Sequence, residues 1–138
     1  MQTVCRPVAP RDCDILGHMN VAAYVDVVSD AMFTLQAAAG LDRAHIATHH
    51  RSFVGARVEA DYRAEMLAGD VLTMDSRVVS LGTRSARFAH RMTRLSDGAT
   101  VFEAENVSVF FDLQARRAIA IPDDLRQALE RFIEGNAT

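Results

Sequence analysis

The segment Asp12-Cys13-Asp14-Ile15-Leu16-Gly17-His18-Met19-Asn20-Val21-Ala22-Ala23-Tyr24 puts two carboxylates, an imidazole and a side-chain amide within nine residues. A carboxylate at Asp14 can attack an acyl carbon or deprotonate a water that does so. His18 can orient Asp14, position the water or protonate a leaving group. Asn20 has the side chain of a helix N-cap, and the apolar run after it begins at Val21. Backbone N–H groups at or near Val21 then lack intrahelical partners, and the helix dipole favours negative charge there. Such a group can hold a carbonyl oxygen and stabilise the oxyanion formed on attack. Singly, these are ordinary turn acids and caps. Their combination at this spacing points to acyl chemistry.

The elements around the segment have to position it. Thr3 to Val8 reads as a short strand ended by Pro10-Arg11-Asp12. The Ala- and Val-rich run Val21 to Ala39 reads as a helix closed by Gly40. Its polar side chains are nearly confined to Asp26, Ser29, Asp30, Thr34 and Gln36, so other structure has to wrap it. Its valines are weak helix formers and leave it dependent on packing. From Val54 the period becomes two, with Val58, Ala60 and Tyr62 alternating with Glu59, Asp61 and Arg63. Strands follow over Val71 to Ser80, Arg84 to Leu95 and Thr100 to Asp112, with turns at Leu67-Ala68-Gly69-Asp70, Leu81-Gly82-Thr83 and Ser96-Asp97-Gly98. Ile119-Ala120-Ile121 reads as a further short strand, and Pro122-Asp123-Asp124 opens a helix through Phe132. One sheet covers only part of the long helix, so self-association into a homodimer is expected.

Composition narrows the field. At 138 residues and 49% hydrophobic, the chain is one globular domain, 1–138, with no repeat or linker. Fifteen basic against eighteen acidic residues exclude a general attraction to nucleic acid or an anionic membrane. No apolar run is long enough to span a bilayer. The start lacks the apolar core of a signal peptide, so a cytoplasmic location is expected. Cys5 and Cys13 form no framework and read as free thiols.

Asp14-x-x-Gly17-His18-Met19-Asn20-x-x-x-Tyr24 resembles the signature of the hotdog-fold thioesterases in the 4-hydroxybenzoyl-CoA thioesterase superfamily. The resemblance covers most of the chain. It implies an α+β hotdog fold, a long central helix wrapped by an antiparallel sheet of about five to six strands. It also implies a dimer with active sites at its interface, and leaves assembly into a homotetramer open. By position, Asp14 matches the family's catalytic carboxylate, Val21 the oxyanion N–H, and His18 and Asn20 the groups that orient the site, with Tyr24 beside the substrate. Leu81-Gly82-Thr83-Arg84-Ser85 resembles the Gly-x-x-Ser turn that approaches the coenzyme A arm, which makes Thr83, Arg84 and Ser85 substrate contacts. Ala68-Gly69-Asp70 resembles the turn between the second and third family strands. Val21 stands where some members carry a histidine. Leu16 stands where carrier-protein enzymes carry an asparagine, which favours coenzyme A. The implied activity is hydrolysis of an acyl-CoA to free acid and coenzyme A, without cofactor or metal. The alternatives are a carrier-protein thioester as substrate, or a domain that binds acyl-CoA without turnover.

Other residues carry weaker signals. Arg84 is the best phosphate partner among the arginines near the third turn, while Arg87, Arg91 and Arg94 read as a solvated strand face. His45 and His49 would share one helix face, but no third ligand has metal-like spacing, and the segment reads as an irregular cover between helix and sheet. His90 reads as a satisfied core histidine. Phe33, Phe53, Phe88, Phe102 and Phe110 read mainly as core, and Glu103 and Glu105 as solvated. Asp61 and Glu65 read as edge-strand charges. Asp26 and Asp30, one turn apart on the largely buried helix, need partners or water; they read as buried hydrogen-bonding groups, with selection of a polar or cationic acyl group as the alternative.

Overall fold

Alternation along the long strands gives the sheet one apolar face, and one helix lies across it. The computed structural model describes residues 1–133, so 134–138 of the expected domain lie outside the described residues. Five main strands, β1 (Gln2–Pro7), β2 (Arg51–Tyr62), β3 (Val71–Leu81), β4 (Ser85–Arg94) and β5 (Thr100–Asp112), pair antiparallel in the order β1-β3-β4-β5-β2. A two-residue strand, β6 (Arg117–Ala118), adds to the end of β5. Helix α1 (Val21–Ala38) is the long central helix, α2 (Arg43–His49) links it to β2, and α3 (Asp123–Glu130) closes the described chain. This is the arrangement expected from the resemblance.

Two hydrophobic clusters hold α1 to the sheet. One surrounds its first half, with Met19, Ala23, Tyr24 and Val27 against Met66, Met92 and Phe102. The other surrounds its second half, with Leu35, Ala39 and Leu41 against Phe53, Phe88 and Phe110. Each fully buried phenylalanine contributes about 1.5–3 kcal/mol by transfer from water. Between the clusters runs a buried polar belt: Thr3 Oγ1 meets Ser76 Oγ at 2.8 Å, the Ser76 hydroxyl lies 2.7 Å from His90 Nδ1, and His90 Nε2 lies 2.6 Å from Asn106 Oδ1. His90 is 3% exposed with both ring nitrogens bonded, which is the core role expected of it. Burial holds its imidazole below the ordinary value of 6.5, against an opposing effect of the Asn106 bond.

The outer face of the sheet carries charge. Arg63 pairs with Glu103 at 3.2 Å and with Asp61 at 3.8 Å, Arg87 with Glu105 at 3.6 Å, and Arg57 with Glu59. Both cysteines are free.

As expected of a single sheet, α1 is covered on one side only within one chain: Val21 is 63% and Phe33 62% exposed, and Val25 is open beside them. Several other expectations need correction. Asp26 and Asp30 lie on that open side and need no buried partner. The Phe33 ring is therefore not core. Residues 43–49 form a helix, capped by the Asp42 side chain on the His45 N–H at 2.9 Å, because Asp42 satisfies a donor that an irregular segment would leave to water. β2 begins at Arg51 rather than Val54, and the last short strand is Arg117–Ala118 rather than Ile119–Ile121. Ile121 is instead buried in the second cluster, and its N–H donates to Thr83 O. The final helix stops at Glu130, short of Phe132.

Candidate active site

The Asp14 segment is held by its neighbours. Arg6 on β1 donates to both carboxylate oxygens of Asp12, at 2.8 and 3.4 Å, and the Ala9 N–H donates to Asp12 Oδ2 at 2.8 Å. The bond from the Arg6 guanidinium holds the Asp12 carboxyl below the ordinary carboxylate value, although burial opposes it. Asp12 O accepts from the Asn20 N–H at 2.9 Å, so the two ends of the segment are tied together. A bridge between Cys13 and Met19 narrows it into a small loop, and the Met19 N–H anchors it to Met66 O at 2.8 Å.

Inside that clamp, Asp14 opens a tight turn. Its carbonyl accepts from Gly17 N–H at 3.0 Å and its Oδ1 from Leu16 N–H at 2.8 Å. Gly17 closes the turn at φ 86°, where a side chain would strain the backbone. The Asp14 N–H donates to His18 O at 3.4 Å, so the two residues face each other across the loop. His18 Nδ1 lies 3.0 Å from Met19 O. A carbonyl only accepts, so Nδ1 carries a proton, and Nε2 is left outside this bond. Of the three roles open to His18, orientation of the Asp14 carboxylate is not what its ring does within this chain.

Asn20 caps α1, with its Oδ1 accepting from Ala23 N–H at 2.9 Å. Among the described residues, the Val21 and Ala22 N–H groups have no acceptor, and the first turn carries no acidic residue. The positive end of an 18-residue helix thus stays open beside Asp14 and His18. Asp14, His18, Asn20 and Val21 are brought together here.

Tyr24 is placed differently. Its ring stacks on Phe102 at 5.1 Å and meets Tyr62 edge-on at 5.2 Å, and its hydroxyl donates to Ala64 O at 3.5 Å. Burial pushes the phenol up. Tyr24 packs the floor beneath the loop, and within one chain its ring is covered.

Thr83, Arg84 and Ser85 lie elsewhere. Their turn closes on itself, with Gly82 N–H donating to Ser85 O at 2.7 Å, and it packs on the second cluster through Phe110 N–H to Arg84 O. A Cβ at Gly82 would stand 3.0 Å from Ser85 Oγ, so the turn favours glycine there. The second cluster surrounds the C-terminal half of α1. Within one chain these residues therefore lie toward the other end of α1 from Asp14. Arg6 and Met66 were not legible as parts of the site, because only the tertiary fold carries them to the loop. No group of three or more His, Cys, Asp or Glu side chains among the described residues is placed to hold a metal ion. No described helix is long and apolar enough to cross a membrane.

Comparison with known proteins follows the same line. The profile of a family described as the thioesterase-like superfamily matches residues 8–129. The chain is 33% identical over 121 residues to the L-carnitine dehydrogenase/betainyl-CoA thioesterase of Agrobacterium fabrum, covering 86% of this chain and 24% of that protein. The chain thus spans about a quarter of that relative's length. It is 26% identical over 125 residues to the long-chain acyl-CoA thioesterase FadM of Escherichia coli, covering 88% of this chain and 91% of that one. A structure of the Staphylococcus aureus protein SAV2348 in complex with CoA superposes with a TM-score of 0.91 at 18% identity, covering 100% of this chain and 87% of that one. At that identity the likeness is one of fold.

Proposed function

Because the chain belongs to the thioesterase-like superfamily, we propose that it hydrolyses an acyl-coenzyme A to a free carboxylic acid and coenzyme A at the Asp14 loop. The observation that carries this reading is a carboxylate with one oxygen uncommitted beside two helix N–H groups that lack an acceptor. The thioester carbonyl oxygen takes the Val21 N–H, where the helix dipole stabilises the negative charge of the tetrahedral intermediate. Asp14 either attacks the acyl carbon or takes a proton from the water that does so. Both routes need an accessible carboxylate oxygen, which Oδ2 supplies. Where water attacks, the C–S bond then breaks and the thiolate receives the proton that water gave up. Where Asp14 attacks, the thiolate leaves a mixed anhydride on Asp14, and water cleaves it to the free acid and the restored carboxylate, its proton going to the thiolate. His18, through Nε2, holds the water. The names of the two relatives support coenzyme A as the donor.

The working form is a homodimer. Two features support it: β2 is an uncovered edge strand, and the outer side of α1 presents Val21, Val25 and Phe33. Antiparallel pairing of β2 with its copy sets α1 of one chain against α1 of the other in the opposite sense. It carries Thr83, Arg84 and Ser85 of one chain toward the Asp14 loop of its partner, where they meet the coenzyme A arm.

The test is thiol release across short, long, aromatic, polar and cationic acyl-CoAs, with Asp14→Asn as the blank. Turnover of one class that the variant loses is the expected result. Equal rates in both proteins would overturn the assignment of Asp14. A folded protein inert to every acyl-CoA would move the reading to a carrier-protein donor or a binding domain.

A further inference from the structure

Helix α2 contains no acidic residue. It turns into β2 through His50, whose left-handed backbone at φ 53° is held by Leu113 N–H donating to His50 O at 2.8 Å. The start of β2 is therefore fixed against α2. Arg51, its first residue, lies with its guanidinium 5.8 Å from the centre of the Phe110 ring, and its Nε–H donates to His45 Nε2 at 3.3 Å. That bond places the His45 proton on Nδ1 and sets the plane of the guanidinium. The His49 ring lies 4.4 Å from the His45 ring, one helical turn away.

Three groups that carry or can take positive charge are thus linked through His45, which touches both Arg51 and His49. Among the described residues, none of them makes an ion pair within 4 Å, and the Nη groups of Arg51 have no acceptor. Burial first, then the charges of His49 and Arg51, hold His45 below the ordinary histidine value. The carboxylates acting in the other direction are Asp124, at the start of α3, and Asp42, whose Oδ1 is spent on the His45 backbone N–H. The arrangement disfavours a metal ion, because a guanidinium occupies the His45 nitrogen that would bind it. It favours an anion. The open fork of an arginine matches two oxygens at once, His45 can donate its Nδ1 proton, and the His49 imidazole can add a proton and donate. A phosphomonoester brings nearly two charges and three strong acceptor oxygens, enough for all three groups.

We propose that His45, His49 and Arg51 form a binding site for the dianionic group of a phosphomonoester. Coenzyme A carries one on its adenosine, and free phosphorylated metabolites carry the same chemistry. Only the first source rests on the reading of the chain as an acyl-CoA hydrolase.

The test follows the histidine ring resonances while inorganic phosphate is added, and then compares coenzyme A with dephospho-coenzyme A. Phosphate moves the His45 and His49 signals and not those of His90. Coenzyme A binds about tenfold more tightly than its dephospho form, and Arg51→Gln and the surface variant His49→Gln each remove that advantage, the loss of about one charge-assisted hydrogen bond. His49→Gln leaves turnover of a pantetheine thioester, which has no adenosine phosphate, unchanged. Phosphate binding with equal affinity for the two coenzymes assigns the site to free phosphorylated metabolites. Unmoved His45 and His49 signals would overturn it. Failure of the Asp14 reading shows instead as no turnover of either thioester, with the titration still readable.

Discussion

Asp12 and Asp14 stand two residues apart in opposite circumstances: Asp12 is gripped by Arg6 at 2.8 Å, whereas Asp14 gives only its Oδ1 to the neighbouring Leu16 N–H. The division implies different effects of the same substitution. Asp14→Asn keeps an oxygen for the turn, so the melting temperature stays close to that of the parent while kcat falls by about a hundredfold or more. Asp12→Asn removes the charge from a mostly buried pair, costs about 1–3 kcal/mol in urea unfolding, and leaves kcat per folded molecule within about threefold. A large fall in kcat for Asp12→Asn with stability intact would reverse the two roles.

The polar belt predicts an acid-sensitive stability. Because Asn106 spends its Nδ2 on Ser108 Oγ and Met32 Sδ, its Oδ1 accepts from His90 Nε2–H, while Nδ1 lies against the Ser76 hydroxyl. Burial lowers the folded histidine below 6.5, so the unfolded chain takes up the proton first as pH falls. Unfolding free energy is then flat above that value and declines below it. Asp12, held below 3.8, adds its own loss only at still lower pH. Urea titrations from pH 8 to 5 check this, with His90→Gln expected to flatten the decline.

Tyr24 separates packing from contact with substrate. Tyr24→Phe loses a hydroxyl at 3.5 Å from its acceptor and costs less than about 1 kcal/mol, with KM unchanged. Tyr24→Ala opens the cluster with Tyr62 and Phe102 and costs about 3–5 kcal/mol. A KM raised in Tyr24→Phe at parental stability would return the hydroxyl to the substrate.

The two halves of the proposed site suggest a complementation experiment. Asp14→Asn and Arg84→Ala proteins, each weak at low acyl-CoA concentration, regain about a quarter of parental activity when unfolded together and refolded as a mixture, because half the dimers then hold one intact site. No recovery, with mixed dimers verified by mass, would place Arg84 outside the partner's site.

Much of this was legible in the residues themselves. Asn20 and Gly40 mark the two ends of α1 through cap chemistry, which is local. Alternation of Ala86, Phe88, His90 and Met92 fixes the buried face of β4. Helix α2 is hard to read from sequence because its seven residues span only about two turns and offer little period, and its cap, Asp42, reads equally well as a loop acid. Phe33, Asp26 and Asp30 were misplaced for one reason: an apolar circumference predicts what a helix must eventually cover, not what a single chain supplies. The clasp of Arg6 on Asp12 and the separation of Thr83–Ser85 from Asp14 both depend on the sheet order, which spacing does not encode.

That order also dictates a schedule. β2 is the second strand made, yet its partner is β5, and the whole β3–β4 hairpin lies between them in the chain. Closing so long a loop costs entropy before any β2 hydrogen bond forms. During synthesis Arg51–Tyr62 therefore waits, extended and amphipathic, while β3 and β4 zip together beside it. Until Thr100–Asp112 emerges, this strand has no neighbour of its own and is the segment most open to pairing with a foreign chain. Slow translation before residue 100 should favour aggregation, and a faster release of β5 should favour soluble yield.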